Sequence, residues 1–176
     1  MRGMFRHLFQ EVYTDPKATV VGVEVGVCYG LNAFQCLVCF PNLTMHLVDN
    51  YARHDSKIAK EAAEYIVAPF GDRAIFHYKD SVEAAKDFED KSLDFVYIDA
   101  AHDYESVKVD IRAWFPKIKI GGTIGGHDFY IEDPKKPRVI SNGVREAVGR
   151  LFIKTAYQRI AAADWWVDND NVTLKK

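Results

Sequence analysis

The chain alternates short, β-branched runs with stretches whose apolar residues recur at helical spacing. Residues 19–25, TVVGVEV, predict a buried strand. Residues 44–48 (TMHLV), 73–78 (RAIFHY) and 93–98 (LDFVYI) predict three more. A fifth strand at about 123–126 follows Gly121-Gly122, which reads as a turn. Residues 31–40, 55–68, 81–88 and 104–116 read as helices between them, the last with Val107, Ile111, Trp114 and Phe115 on its inner side. At the start, Met1, Met4, Phe5, Leu8, Phe9 and Val12 share one helical face. They predict a helix over 1–14, ended by Asp15-Pro16 and packed on the edge of the fold. Residues 143–153 predict a last helix, and 155–161 with 164–168 a closing hairpin. In that hairpin Trp165 and Trp166 point to opposite sides, one inward and one outward. Residues 131–142 are polar, carry prolines and have no apolar period, so they read as a mobile lid or binding loop.

Alternating strand and helix predicts an α/β fold with a mostly parallel sheet and helices on both faces. The closing hairpin is too short for a helical crossover, so one of its strands runs antiparallel to its neighbour. A length of 176 residues suits one domain over 1–176, with its core in 19–168 and no need of a disulfide or metal to fold. The three cysteines, Cys28, Cys36 and Cys39, do not make a secreted disulfide framework. Cys36 and Cys39 sit in the apolar run FQCLVCF without a second metal-ligating pair, and both read as buried thiols. A net charge of -2 with no basic block argues against nucleic acid. With no signal-peptide core and no bilayer-length apolar run, the expectation is a cytoplasmic protein without membrane attachment.

Ligands in open α/β sheets bind beyond the carboxyl ends of the strands. Here those ends carry Gly26, Asp49, Asp80, Asp99 and Asp128. Acids in such a row are poor core residues, because a buried carboxylate is costly unless paired. The first loop runs Glu24-Val25-Gly26-Val27-Cys28-Tyr29-Gly30, acid-x-Gly-x-x-x-Gly. It lacks the G-x-G-x-x-G that cradles a pyrophosphate, and Glu24 would repel one. A ligand bearing an amino group fits better; a plain tight turn is the bland alternative. Asp49 is placed to accept both hydroxyls of a ribose, or else caps a helix. Asp80-Ser81 faces an adenine edge, caps the next helix, or does both. His102 suits removal of a proton from a hydroxyl, or simply bonds to backbone. The remaining histidines His7, His46, His54 and His77 show no constellation around them.

The segments EVGVCYG, LVD, KDS, DFVYIDAAHDYE, GGTIGGHDF and GVREAV follow one another across roughly residues 20–150. In that order the chain resembles the class I S-adenosylmethionine-dependent methyltransferases, in particular methyltransferase family 24. It departs at Cys28, where a glycine is common. The resemblance implies a Rossmann-like, seven-stranded, mostly parallel sheet of order 3-2-1-4-5-7-6. It implies a cofactor site formed by Glu24, Gly26, Val27, Tyr29, Gly30, Asn32, Asp49, Asn50, Asp80, Ser81, Asp99 and His102. The first loop would hold the methionine moiety, Asp49 the ribose and Asp80-Ser81 the adenine side. Relatives that methylate sugar or catechol hydroxyls often carry magnesium; the matching positions here are Asp99, His127 and Asp128. The imidazole of His127 shifts that preference toward manganese or zinc. The implied activity is O-methylation of a small-molecule hydroxyl, on a sugar or secondary metabolite, with His102 and Asp99 as the catalytic pair. An NAD-dependent oxidoreductase, which would want a phosphate loop and a Tyr-x-x-x-Lys pair, and a non-catalytic S-adenosylmethionine-binding protein are the alternatives. The group Asp99, His102, His127 and Asp128 reads as a divalent metal site, a metal-free base or a structural cluster. The acceptor pocket is expected to be open, or completed by a second copy in a homodimer.

Overall fold

A computed structural model of the protein describes residues 1–52, 56–129, 143–152, 158–160, 164–170 and 172–175. The lid expected at 131–142 and His54 lie outside these residues. The strands are β1 (Val20–Val25), β2 (Leu43–Val48), β3 (Ala74–His77), β4 (Leu93–Ile98), β5 (Ile118–Gly126), β6 (Gln158–Ile160) and β7 (Asp164–Asp168). The helices are α1 (Gly3–His7), α2 (Leu31–Cys39), α3 (Ser56–Val67), α4 (Ser81–Ala85), α5 (Tyr104–Trp114) and α6 (Gly143–Leu151). The strands form one mixed sheet of order β3-β2-β1-β4-β5-β7-β6. The expected count of seven is reached only with β6, a three-residue edge strand; the other six are longer. β7 pairs antiparallel with both β5 and β6, as the short closing connection requires.

A parallel sheet covered on both faces has no polar side, which is why β4 is buried at every position. One face is filled by Val96, Ile111, Trp114, Phe152 and Trp165. The other is filled by Phe5, Leu37, Met45, Phe95, Tyr97 and Trp166. Trp165 and Trp166 do point to opposite faces, yet both are buried, because each face has its own layer.

The N-terminal segment covers a face rather than an edge. The ring of Phe5 lies 4.6 Å from that of Tyr97 and 5.9 Å from that of Phe95, and His7 stacks on Trp166 at 5.2 Å. Burying Phe5 stabilises this docking by roughly 2–3 kcal/mol. The helix is also shorter than the apolar pattern suggests. α1 passes into a wider turn over Leu8–Val12, and Met1 is exposed.

The glycine pair before the fifth strand lies inside it. β5 starts at Ile118, and its register against β4 slips between Leu93↔Ile118 and Phe95↔Thr123. Gly121 takes φ +79 there, so the pair makes a bulge, not a turn. Asn169 seals it: its backbone bonds Gly121 and Gly122, and its side-chain amide donates to the carbonyls of Ile118 and Lys119. Of the cysteines only Cys36 is buried; Cys39 ends α2 and is exposed, contrary to expectation. Among the described residues no helix is long and apolar enough to cross a membrane.

Candidate functional site

A cleft of about 1130 Å³ opens at the carboxyl ends of β1, β2 and β4. Gly26, Tyr29, Asp49, Asn50, Asp80, Ser81, Asp99 and His102 all line it. The backbone ladder continues past the strand ends and fixes them: Gly26 N–H donates to Val48, Asp49 N–H to His77, and Asp99 N–H to Val25. Gly26 has φ +88, and a Cβ there would sit 2.2 Å from the carbonyl oxygen of Asp99. Only glycine lets the first loop cross so close to the end of β4.

Asp49 organises that loop. Its Oδ2 accepts from the backbone N–H groups of Val27 and Cys28, both at 3.0 Å, and its Oδ1 from Tyr51 N–H at 2.8 Å. Cys28 is thereby held at φ +51, the left-handed conformation that the missing glycine would adopt freely. The carboxylate keeps free lone pairs toward the cleft, since each oxygen accepts more than one bond.

Four residues expected at the cofactor, Glu24, Val27, Gly30 and Asn32, stand behind the cleft wall rather than on it. Strand alternation turns Glu24 into the sheet, where it is 1% exposed. Among the described residues neither of its carboxylate oxygens has a partner of good hydrogen-bond geometry. Burial pushes its pKa up to about 8, and neighbouring Asn32 offsets this only in part. A buried acid raised this far is mostly protonated near neutral pH, and positive charge brought in front of it would favour its ionised form.

On the far side of the cleft, Asp80 begins α4 without a side-chain cap bond, so its carboxylate is left to the cleft. Ser81 Oγ accepts from Trp114 Nε1–H at 3.0 Å. Next to it lies Asp110, 6% exposed, whose pKa burial pushes up to about 6. Asp103 caps α5 by accepting from Ser106 N–H at 3.0 Å, which holds its carboxyl below the usual range. Glu105, the last residue of DFVYIDAAHDYE, lines the cleft together with Ser106 and Asp110, which no motif marks and whose i,i+4 spacing along α5 is the only signal.

At the ends of β4 and β5 five side chains close a ring. His102 Nε2 lies 3.5 Å from Asp99 Oδ1 and 3.0 Å from Asp128 Oδ2. Asp128 Oδ1 is 3.2 Å from His127 Nδ1. His127 Nε2 accepts from Arg2 Nη1, and Arg2 Nη2 donates to Asp99 Oδ2 at 3.4 Å. Because Arg2 can only donate, the proton of a neutral His127 sits on Nδ1, facing Asp128. Asp99, His102 and Asp128 each offer a ligand atom, all within 4.8 Å of one another. The expected trio had His127 in it; the structure brings His102 to the two acids instead, and the Nε2 of His127 is turned to Arg2. Two carboxylates and one imidazole suit manganese or zinc better than magnesium. Arg2 was invisible to motif reading, since only the docking of α1 brings it here.

Two histidines read as isolated are in fact paired. His46 Nδ1 lies 2.9 Å from His77 Nε2, and His77 Nδ1 lies 3.9 Å from Asp87. Burial lowers the pKa of His46 to about 4. His7 bonds Glu11 at 2.9 Å. None of these lines the main cleft.

The fold has counterparts among known proteins. An O-methyltransferase from Bacillus cereus, solved with S-adenosylhomocysteine, is 14% identical; the match covers 84% of this chain and 73% of that one, with a TM-score of 0.60. CalS11, a TDP-rhamnose 3'-O-methyltransferase of calicheamicin biosynthesis, is 15% identical over 94% of this chain and 76% of its own, with a TM-score of 0.63. A Staphylococcus aureus protein provisionally assigned as a caffeoyl-CoA O-methyltransferase gives a TM-score of 0.69 at 14% identity, over 96% of this chain and 84% of its own. At these identities the likeness is one of fold. A protein of Sinorhizobium fredii without assigned function is 34% identical over 55 residues, 31% of this chain but only 6% of that protein. The sequence profile of methyltransferase family 24, a methyltransferase domain, matches residues 23–129, more than half of the chain. With the sheet, the glycine loop and the acids at the strand ends all in place, this chain belongs to methyltransferase family 24.

Proposed function

We propose that the protein is an S-adenosylmethionine-dependent methyltransferase that methylates a hydroxyl of a small molecule. One observation carries the choice of cofactor. The amides of Val27 and Cys28, which in a dinucleotide site would greet a pyrophosphate, are already bonded to the carboxylate of Asp49. A loop whose donors are taken by an acid disfavours anions, and the amino group of an amino acid head group would favour the ionised form of Glu24 behind it. The O-methyltransferase neighbours support oxygen as the acceptor atom.

S-adenosylmethionine, when bound, supplies a methyl group on a positively charged sulfur. The chain's own residues position and deprotonate the acceptor. His102 would orient the acceptor hydroxyl and take its proton, which makes the oxygen a better nucleophile toward that methyl group. A proton gained by the His102 ring is balanced by Asp99 and Asp128 on either side of Nε2. A divalent ion, were one bound, would be held by Asp99, His102 and Asp128 and would orient the hydroxyl and lower its pKa, but it would compete with Arg2 for Asp99.

Calorimetry tests the reading. S-adenosylhomocysteine binds and NAD does not, and Asp49→Ala weakens the former by about tenfold or more, as loss of a charged acceptor costs about 1.5–3 kcal/mol. NAD binding without a response to S-adenosylhomocysteine would overturn it.

A further inference from the structure

Arg2 is the one guanidinium in the ring at the ends of β4 and β5, and the fold holds the residues beside it in place. Met4 N–H donates to Asp164 Oδ2 at 3.1 Å, and Asp164 is 2% exposed. Tyr97 donates its hydroxyl to the other oxygen of Asp164 at 3.2 Å. Phe5 lies on Tyr97 and Phe95. The start of α1 is therefore fastened on both its polar and apolar sides, which fixes the backbone from which Arg2 reaches the centre.

The guanidinium stays charged at every working pH and has five donors in a plane. Two of its nitrogens are used, one on Asp99 Oδ2 and one on His127 Nε2. Asp99 divides its oxygens accordingly: Oδ2 belongs to Arg2, and Oδ1 to His102. A divalent ion held by Asp99, His102 and Asp128 would draw on the same carboxylate and would face a fixed positive charge across it.

We propose that Arg2 is the resident cation of this centre, holding Asp99 against divalent ions and presenting its charge to the acceptor oxygen in a metal ion's stead. His127 is the positioning residue of the arrangement. By accepting from Nη1 and turning Nδ1 to Asp128, it sets the plane of the guanidinium. The part concerning the acceptor rests on the methyltransferase reading; the competition for Asp99 does not.

Manganese alone is the probe. Its binding is followed by the paramagnetic signal of the free ion and by calorimetry, on the native protein and on Arg2→Gln, Arg2→Lys and Arg2→Gln/Asp99→Asn. Removing one positive charge a few ångströms from a half-exposed site raises manganese affinity by about tenfold or more in Arg2→Gln. Arg2→Lys keeps the charge and stays within about threefold of the native protein. The double variant loses the gain. Arg2→Met, which retains the aliphatic stem, carries the same expectation should the glutamine variant fail to fold. Native-like manganese affinity in Arg2→Gln, or an equal gain in Arg2→Lys, would overturn the proposal. Once an acceptor is in hand, transfer by the native enzyme continues at full rate in excess EDTA; a chelation-sensitive rate sinks the second half. S-adenosylhomocysteine titration of the native protein tests the methyltransferase reading separately, so the two failures are told apart.

Discussion

Cys28 stands in left-handed backbone at φ +51, held there by the bond from its amide to Asp49. For a residue with a Cβ this conformation costs about 1–2 kcal/mol, and the side chain, being exposed, offers little packing in return. Cys28→Gly is expected to raise the stability measured by urea unfolding by about 0.5–1 kcal/mol, the greater freedom of glycine in the unfolded chain offsetting part of the gain. A less stable variant would show that the thiol contributes more than the strain costs. The acid-x-Gly loop and Asp49 were readable from residue type and spacing. What Asp49 does with its oxygens was not, because backbone amides leave no mark on a sequence. The exchange of His102 for His127 in the ligand trio has a similar origin. Adjacent and near-adjacent residues in a loop have no periodicity to say which ring turns inward, and Arg2 decides it from the far end of the chain.

Along α5, Val107, Ile111 and Trp114 face the core as the periodicity predicts. Asp110 shares their side of the helix, but an acid in that position reads as part of a solvated face. Its burial becomes visible only when α4 and the cleft are in place. Burial raises its pKa to about 6 from the usual 3.8, so the native state keeps a proton that the unfolded chain has lost. The contribution of this group is therefore whole below about pH 4 and is lost as the pH rises through about 6. Asp110→Asn removes the charge while keeping the shape. Its melting temperature should exceed that of the native protein at pH 8, and the gap should close near pH 4. An equal gap at both values would mean that ionisation of Asp110 is not the cause. The bulge in β5 escaped notice for a related reason: Gly121-Gly122 is a turn signal by composition, and only Asn169, far along the chain, turns it into a kink within a strand.

At the scale of the whole molecule, the alternation of strand and helix was enough to place the strand ends, and with them most of the cleft. The order of those strands came from family resemblance, since periodicity ranks no neighbours. What the pattern could not foresee is that the N-terminal segment lies on a face of the sheet, which takes the outward Trp166 into a second core beneath it. All three tryptophans are consequently shielded from water. They differ in what they touch. Among the described residues the indole nitrogens of Trp165 and Trp166 have no hydrogen-bond partner, whereas that of Trp114 bonds Ser81 on the cleft wall. The protein therefore carries an optical gauge of its own occupancy. Two indoles supply a steady emission, and the third is wired through one hydroxyl to whatever fills the cleft. Titration with S-adenosylhomocysteine should shift the emission saturably, and Trp114→Phe should abolish the shift while calorimetry still records binding. A shift that survives this substitution would place the reporter in β7 instead.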